Sequence, residues 1–153
     1  MNSTALSRRA FLRCMGATGA GVTLLPCAQS AWSAPANEKL NIALIGVGGR
    51  GNSFVGEIPK TGHQFVAFCD VDENKNPDAY QKHPQVKKYR DFRKMLDVMG
   101  KSIDAVIVAT PDHTHAVASA AAMRAGKPVY CEKTLTRTVH ESRAMREMAR
   151  EFK

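Results

Sequence analysis

From residue 39 onward, apolar residues alternate between two patterns. Short runs at Asn41–Ile45, Gln64–Cys69, Ala105–Ala109 and Pro128–Cys131 have the length of strands, and a weaker one covers Val86–Tyr89. Ala105-Val106-Ile107-Val108-Ala109 is apolar at every position, as expected of a parallel strand covered on both faces. Between the runs the period lengthens. Phe92, Met95, Leu96 and Met99 form a helical stripe that Asp91 can cap and Gly100 can stop. Ala116–Ala125 is alanine-rich and ends at Gly126, with Pro128 beyond. Thr138 and Glu141 have capping-box spacing and open a helix whose core stripe is Met145, Met148, Ala149 and Phe152. Asp72–Pro84 is polar and holds Pro77 and Pro84, so its helix is short or absent. Alternating strands and helices predict an α/β fold with a doubly wound parallel sheet, whose ligands bind at the carboxyl ends of the strands.

The residues of chemical interest fall at those ends. Gly46-Val47-Gly48-Gly49-Arg50-Gly51 is a G-x-G-x-x-G run directly behind the first strand. Glycines allow the tight turn and close approach that a dinucleotide pyrophosphate needs, and the following helix offers unpaired N–H groups. Asp70 closes the next strand about 20 residues on, where an acidic side chain meets ribose hydroxyls. Asn52-Ser53 after Gly51 lacks the lysine of a triphosphate-binding loop. Val71 after Asp70 supplies no cation for a 2′-phosphate, so NAD is favoured over NADP. Asp112-His113-Thr114-His115 has no second ligand cluster at zinc spacing, so no metal is expected. It reads instead as a helix start lining the cleft, capped by Asp112 or Thr114. Glu132-Lys133 reads either as a surface ion pair or as a lysine placed near the nicotinamide.

Composition narrows the classes. With 153 residues, 44% of them hydrophobic and 24% charged, the chain suits one globular domain. Its net charge is +8. Arg143, Arg146 and Arg150 are interleaved with Glu141, Glu147 and Glu151, a solvated helix face rather than a nucleic-acid patch. Cys69 and Cys131 end the second and fifth predicted strands, roughly 14 Å apart in such a sheet. That separation is too wide for a disulfide, so both are expected as free, buried thiols.

The N-terminal Ser7-Arg8-Arg9-Ala10-Phe11-Leu12-Arg13 resembles the twin-arginine export signal, departing only at its last residue. A short, glycine-bearing apolar region follows, and Ala28-Gln29-Ser30 is a small-x-small cleavage site. The expected organisation is an export signal over 1–30, a linker over 31–38 and a nucleotide domain over 39–153. The expected location is the periplasm, reached through the twin-arginine machinery.

Taken in order, Gly46–Gly51, Phe68-Cys69-Asp70-Val71-Asp72, Val108–His115 and Tyr130–Thr136 resemble the Gfo/Idh/MocA family of oxidoreductases over Lys39–Lys153. The resemblance implies a Rossmann domain binding NAD or NADP through Gly46, Gly48, Gly49, Arg50, Gly51 and Asp70. It places Thr110, Pro111, His115 and Glu132 along the same cleft and makes Lys133, of the family's E-K-P motif, the catalytic lysine. Thr134 stands where that motif has proline, which removes a backbone constraint beside the lysine. The implied reaction is hydride transfer with a sugar or polyol. Family members carry a second α/β domain for substrate, expected here to be absent, so the chain alone is expected to lack turnover and to self-associate. The alternatives are a non-catalytic NAD-binding fragment and a glycoside-cleaving member of the family.

Overall fold

A computed structural model describes residues 39–152. The signal and linker assigned to residues 1–38 lie outside the described residues. The strands are β1 (Asn41–Ile45), β2 (Gln64–Cys69), β3 (Lys87–Tyr89), β4 (Ala105–Val108) and β5 (Val129–Cys131). The helices are α1 (Gly51–Glu57), α2 (Pro77–Lys82), α3 (Phe92–Met99), α4 (Asp112–Arg124) and α5 (Val139–Glu151). The five strands are parallel in the order β3-β2-β1-β4-β5. This is the expected doubly wound α/β sheet.

Strand alternation sorts the core into two layers. On one face Ala43 and Ile45 of β1 meet Met95, Leu96 and Met99 of α3 and Ala118 and Ala122 of α4. On the other, Ile42 and Leu44 meet Val55 of α1 and Ala79 and Tyr80 of α2. With both faces covered, β1 is apolar at almost every position rather than at every second one. The small side chains of α4 let it lie close to the sheet. Each fully buried aliphatic side chain contributes roughly 1.5–3 kcal/mol.

Local signals set the helix ends. Asp91 accepts from the Arg93 N–H at 2.9 Å and caps α3. Gly126, at φ +70°, ends α4, with the Lys127 N–H returning to the Ala122 carbonyl. Both halves of the Thr138–Glu141 capping box form. The helix in the 72–84 segment is indeed short, six residues behind a 3-10 turn at Glu73–Lys75.

Three expectations need correction. α4 starts at Asp112, and Pro111 stands at its cap position with no side-chain cap. The Thr114 hydroxyl instead donates to the Pro111 carbonyl at 2.9 Å, and Asp112 lies in the first turn, facing solvent. On the predicted stripe of α5 only Met145 is buried; Met148 is half-buried and Ala149 and Phe152 are exposed, because α5 packs chiefly against α4. Cys69 is buried, but Cys131 is half-buried because it lies on the edge strand β5. Register aligns Cys69, Ile45, Val108 and Cys131 in one row, so the two free thiols stand three strand spacings apart.

Candidate functional site at the carboxyl ends of the strands

Gly46 leaves β1 at φ +88°, and a Cβ there would stand 2.7 Å from the Ala109 carbonyl group. Its N–H donates to the Cys69 carbonyl at 2.8 Å, which fixes the loop between β2 and β4. A Cβ on Gly51 would collide with the Gly46 carbonyl oxygen. Both positions therefore exclude any side chain. Asp70, at the end of β2, faces this loop. Its Oδ2 accepts from the N–H groups of Val47 at 2.8 Å and Gly48 at 3.2 Å, and its Oδ1 accepts from Asp72 at 3.0 Å. Among the described residues the N–H groups of Gly49 and Arg50 have no protein acceptor.

The loop is tied to β5 as well. Arg50 Nε donates to Glu132 Oε1 at 3.0 Å, although the two are far apart in sequence. The guanidinium lies 5.6 Å from the Phe54 ring, which meets Tyr130 edge-on. Glu132 is buried, and its Oε2 accepts from the Lys133 N–H at 3.1 Å. The Arg50 hydrogen bond holds the Glu132 carboxyl below its ordinary range; burial opposes this and the Lys133 N–H adds to it. The Lys133 side chain is exposed and has no ion-pair partner among the described residues. The Lys133–Thr134 peptide is cis.

Between β4 and α4, the Thr110 hydroxyl is buried with no partner among the described residues. Pro111 is exposed at the rim. His115 departs from expectation. It does not line the cleft: it is 1% exposed, and each ring nitrogen lies 2.6 Å from a backbone carbonyl, Nδ1 from Thr134 and Nε2 from Thr110. Two positions on the first turn of α4 account for this, since Asp112 and His113 face solvent while His115 faces the sheet. The remaining expected site residues, Gly46–Gly51, Asp70, Thr110, Pro111, Glu132 and Lys133, share the rim above the strand ends.

Sequence reasoning missed Asn76. Its side chain donates to the Val47 carbonyl at 2.9 Å and to Asn52 Oδ1 at 3.0 Å, while its Oδ1 accepts from the Ala79 N–H and caps α2. The signal was present in Asn76-Pro77, an N-cap residue before proline at the first helical position.

The model of the family described as "Oxidoreductase family, NAD-binding Rossmann fold" (GFO_IDH_MocA) matches residues 40–153. The chain belongs to this Gfo/Idh/MocA family. It is 34% identical over 103 residues to inositol 2-dehydrogenase 1 of Saccharopolyspora erythraea, a match covering 65% of this chain and 30% of that protein. It is 35% identical over 140 residues to a glycosyl hydrolase family 109 protein of Stenotrophomonas maltophilia, covering 84% of this chain and 30% of that one. The structure superposes on myo-inositol 2-dehydrogenase from Lactobacillus plantarum with a TM-score of 0.68 at 27% identity, over 75% of this chain and 34% of that one. The chain thus spans about a third of the length of the relatives it matches.

Residues 40–153 are accordingly an NAD-binding Rossmann domain, and the local geometry fits that cofactor. Glycine positions 46 and 51 leave no room for a side chain where the chain turns. The exposed amides at 49 and 50 and the buried Thr110 hydroxyl, none with an acceptor among the described residues, are donors that suit the oxygens of a diphosphate and its sugars.

Proposed function

We propose that this chain is the NAD-binding half of an exported oxidoreductase acting on a sugar or polyol, with Lys133 at the reacting centre. The observation that carries this reading is the exposed Lys133, without an ion-pair partner among the described residues, on the same rim as a loop whose positions 46 and 51 admit no side chain. When bound, NAD supplies the hydride acceptor. Gly46, Gly48 and Gly51 shape the turn so that the diphosphate can approach, and the backbone amides of Gly49 and Arg50 hold it. Asp70 takes the ribose hydroxyls while it keeps the loop in shape. Thr110, Pro111 and Glu132 shape the nicotinamide end. Lys133 hydrogen-bonds a substrate hydroxyl, and its charge favours loss of that proton. A second α/β domain supplies the substrate pocket.

The inositol dehydrogenases among the relatives favour a polyol. A glycoside-cleaving reading is favoured by one observation: the family 109 match covers 84% of this chain, more than residues 40–153 provide, so it reaches into the leader. Export also limits the cofactor. A nucleotide loaded before twin-arginine transport has to stay bound and be regenerated within each cycle.

Titration calorimetry with NAD, followed by a panel of polyols, sugars and aryl glycosides, tests the reading. Micromolar NAD binding without turnover by the 153-residue chain is expected. Dehydrogenation by this chain alone would overturn the need for a second domain, and absence of NAD binding would overturn the whole reading. Replacing Arg8 and Arg9 by lysine should retain the protein in the cytoplasm on fractionation. The exposed Tyr130, Leu135, Val139 and Phe152 favour self-association, which light scattering reads directly.

A further inference from the structure

The His115 ring spans a gap between two strand ends. Its Nε2 meets the carbonyl of Thr110, just past β4, and its Nδ1 meets the carbonyl of Thr134, just past Lys133, each at 2.6 Å. On the other side of the lysine, the Lys133 N–H is held by Glu132 Oε2 at 3.1 Å, and Glu132 is itself held by Arg50. The backbone of Lys133 is therefore gripped before and after the residue, while its side chain stays exposed. Of the two grips, Glu132 belongs to the same strand end. Glu132 is tied in turn to Val108 of β4 and to Arg50, all on the N-terminal side of the lysine; on its C-terminal side, His115 ties Thr134 to the first turn of α4.

We infer that His115 is a positioning residue that aims Lys133: its Nδ1–H donates to the Thr134 carbonyl and fixes the lysine segment against α4 and the end of β4. This deepens the reading of Lys133 given above and rests on it. Donation to Thr134 requires a proton on Nδ1; donation to both carbonyls requires the doubly protonated ring. Replacing the buried ring removes no strand-to-strand hydrogen bond, yet releases the segment that carries the lysine. A buried histidine with a merely structural role would loosen its surroundings evenly instead.

The test separates the two ring nitrogens by hydrogen exchange, followed by NMR on the full chain. His115→Asn places an amide N–H near the position of Nδ1 and keeps the Thr134 bond. His115→Gln places one near Nε2 and keeps the Thr110 bond. The Lys133 amide is expected to exchange about tenfold faster in the Gln variant and within about twofold of the parent in the Asn variant. The Ile45 and Val108 amides in β1 and β4 should stay unchanged in both. Equal acceleration in the two variants, or none in the Gln variant, overturns the proposal. Should either variant lose its dispersed spectrum, the parent protein decides by its ring nitrogens. A proton on Nδ1 coupled to the Thr134 carbonyl carbon supports the assignment, and a bare Nδ1 overturns it. NAD calorimetry on the parent runs beside this. Its failure would remove the cofactor reading while the exchange result stands separately.

Discussion

At the end of β1 the rim is made of backbone. Gly46 and Gly51 admit no Cβ, the Val47 and Gly48 amides turn toward Asp70, and those of Gly49 and Arg50 have no acceptor among the described residues. At the ends of β4 and β5 the rim is made of side chains. Among the described residues Thr110 presents a buried hydroxyl without a partner, His115 and Glu132 hold backbone groups, and the Lys133 side chain is exposed and unpaired. The first half resembles a mould and the second a set of braces around one exposed lysine. Backbone amides suit a diphosphate that every bound dinucleotide shares, whereas side chains suit the end where one reaction is chosen.

That contrast can be broken by mutation, and the mould should fail hardest. Gly51→Val drives a side chain into the Gly46 carbonyl. It is expected to lower the unfolding free energy by about 4 kcal/mol and to abolish NAD binding, measured by denaturant unfolding and calorimetry. A smaller loss follows from Asp70→Ala, which strands the amides of Val47, Gly48 and Asp72. About 1–3 kcal/mol of stability should go, together with roughly 100-fold in NAD affinity. If binding survives Asp70→Ala intact, the loop holds its shape unaided and the mould is simpler than described.

On the braced side the effects are gentler. Thr110→Val removes a buried, unpartnered hydroxyl and keeps the side-chain volume. Stability should stay level or rise by up to about 1 kcal/mol, while NAD binds about tenfold more weakly. A loss of stability would show that the hydroxyl has a structural partner. The mildest prediction concerns acid. The Glu132 carboxyl is held below its ordinary value of 4.5, chiefly by Arg50. Its contribution to stability is therefore present above pH 4.5 and lost as pH falls through the lower folded value. Glu132→Gln should be less stable than the parent at neutral pH, and the two unfolding curves should converge in acid. A constant gap from pH 7 to pH 3 would mean that the Arg50 pair does not set the carboxyl's affinity for its proton.

Legibility followed the same division. The mould was readable because glycine spacing is a local steric requirement written into consecutive residues. The strands were readable because burial on both faces forces apolar runs, and β1, β2 and β4 match within a residue. The α5 stripe misled, since periodicity marks an apolar face but not whether anything covers it; Phe152 remains exposed. Asp112 and Thr114 misled because either residue suits a cap, and the choice of Pro111 depends on how the chain leaves β4.

The sequence by itself determined the α/β alternation, the glycine loop, the acidic residue at the end of β2 and the lysine at the end of β5. All four depend on residue type within a few neighbours. Only the tertiary structure decided that Arg50 reaches Glu132, that Asn76 fastens the loop to α2, and that His115 turns inward to grip the lysine segment. Those bonds join residues on different strands and helices. Their partners are chosen by strand order and register, which no local pattern of side chains encodes.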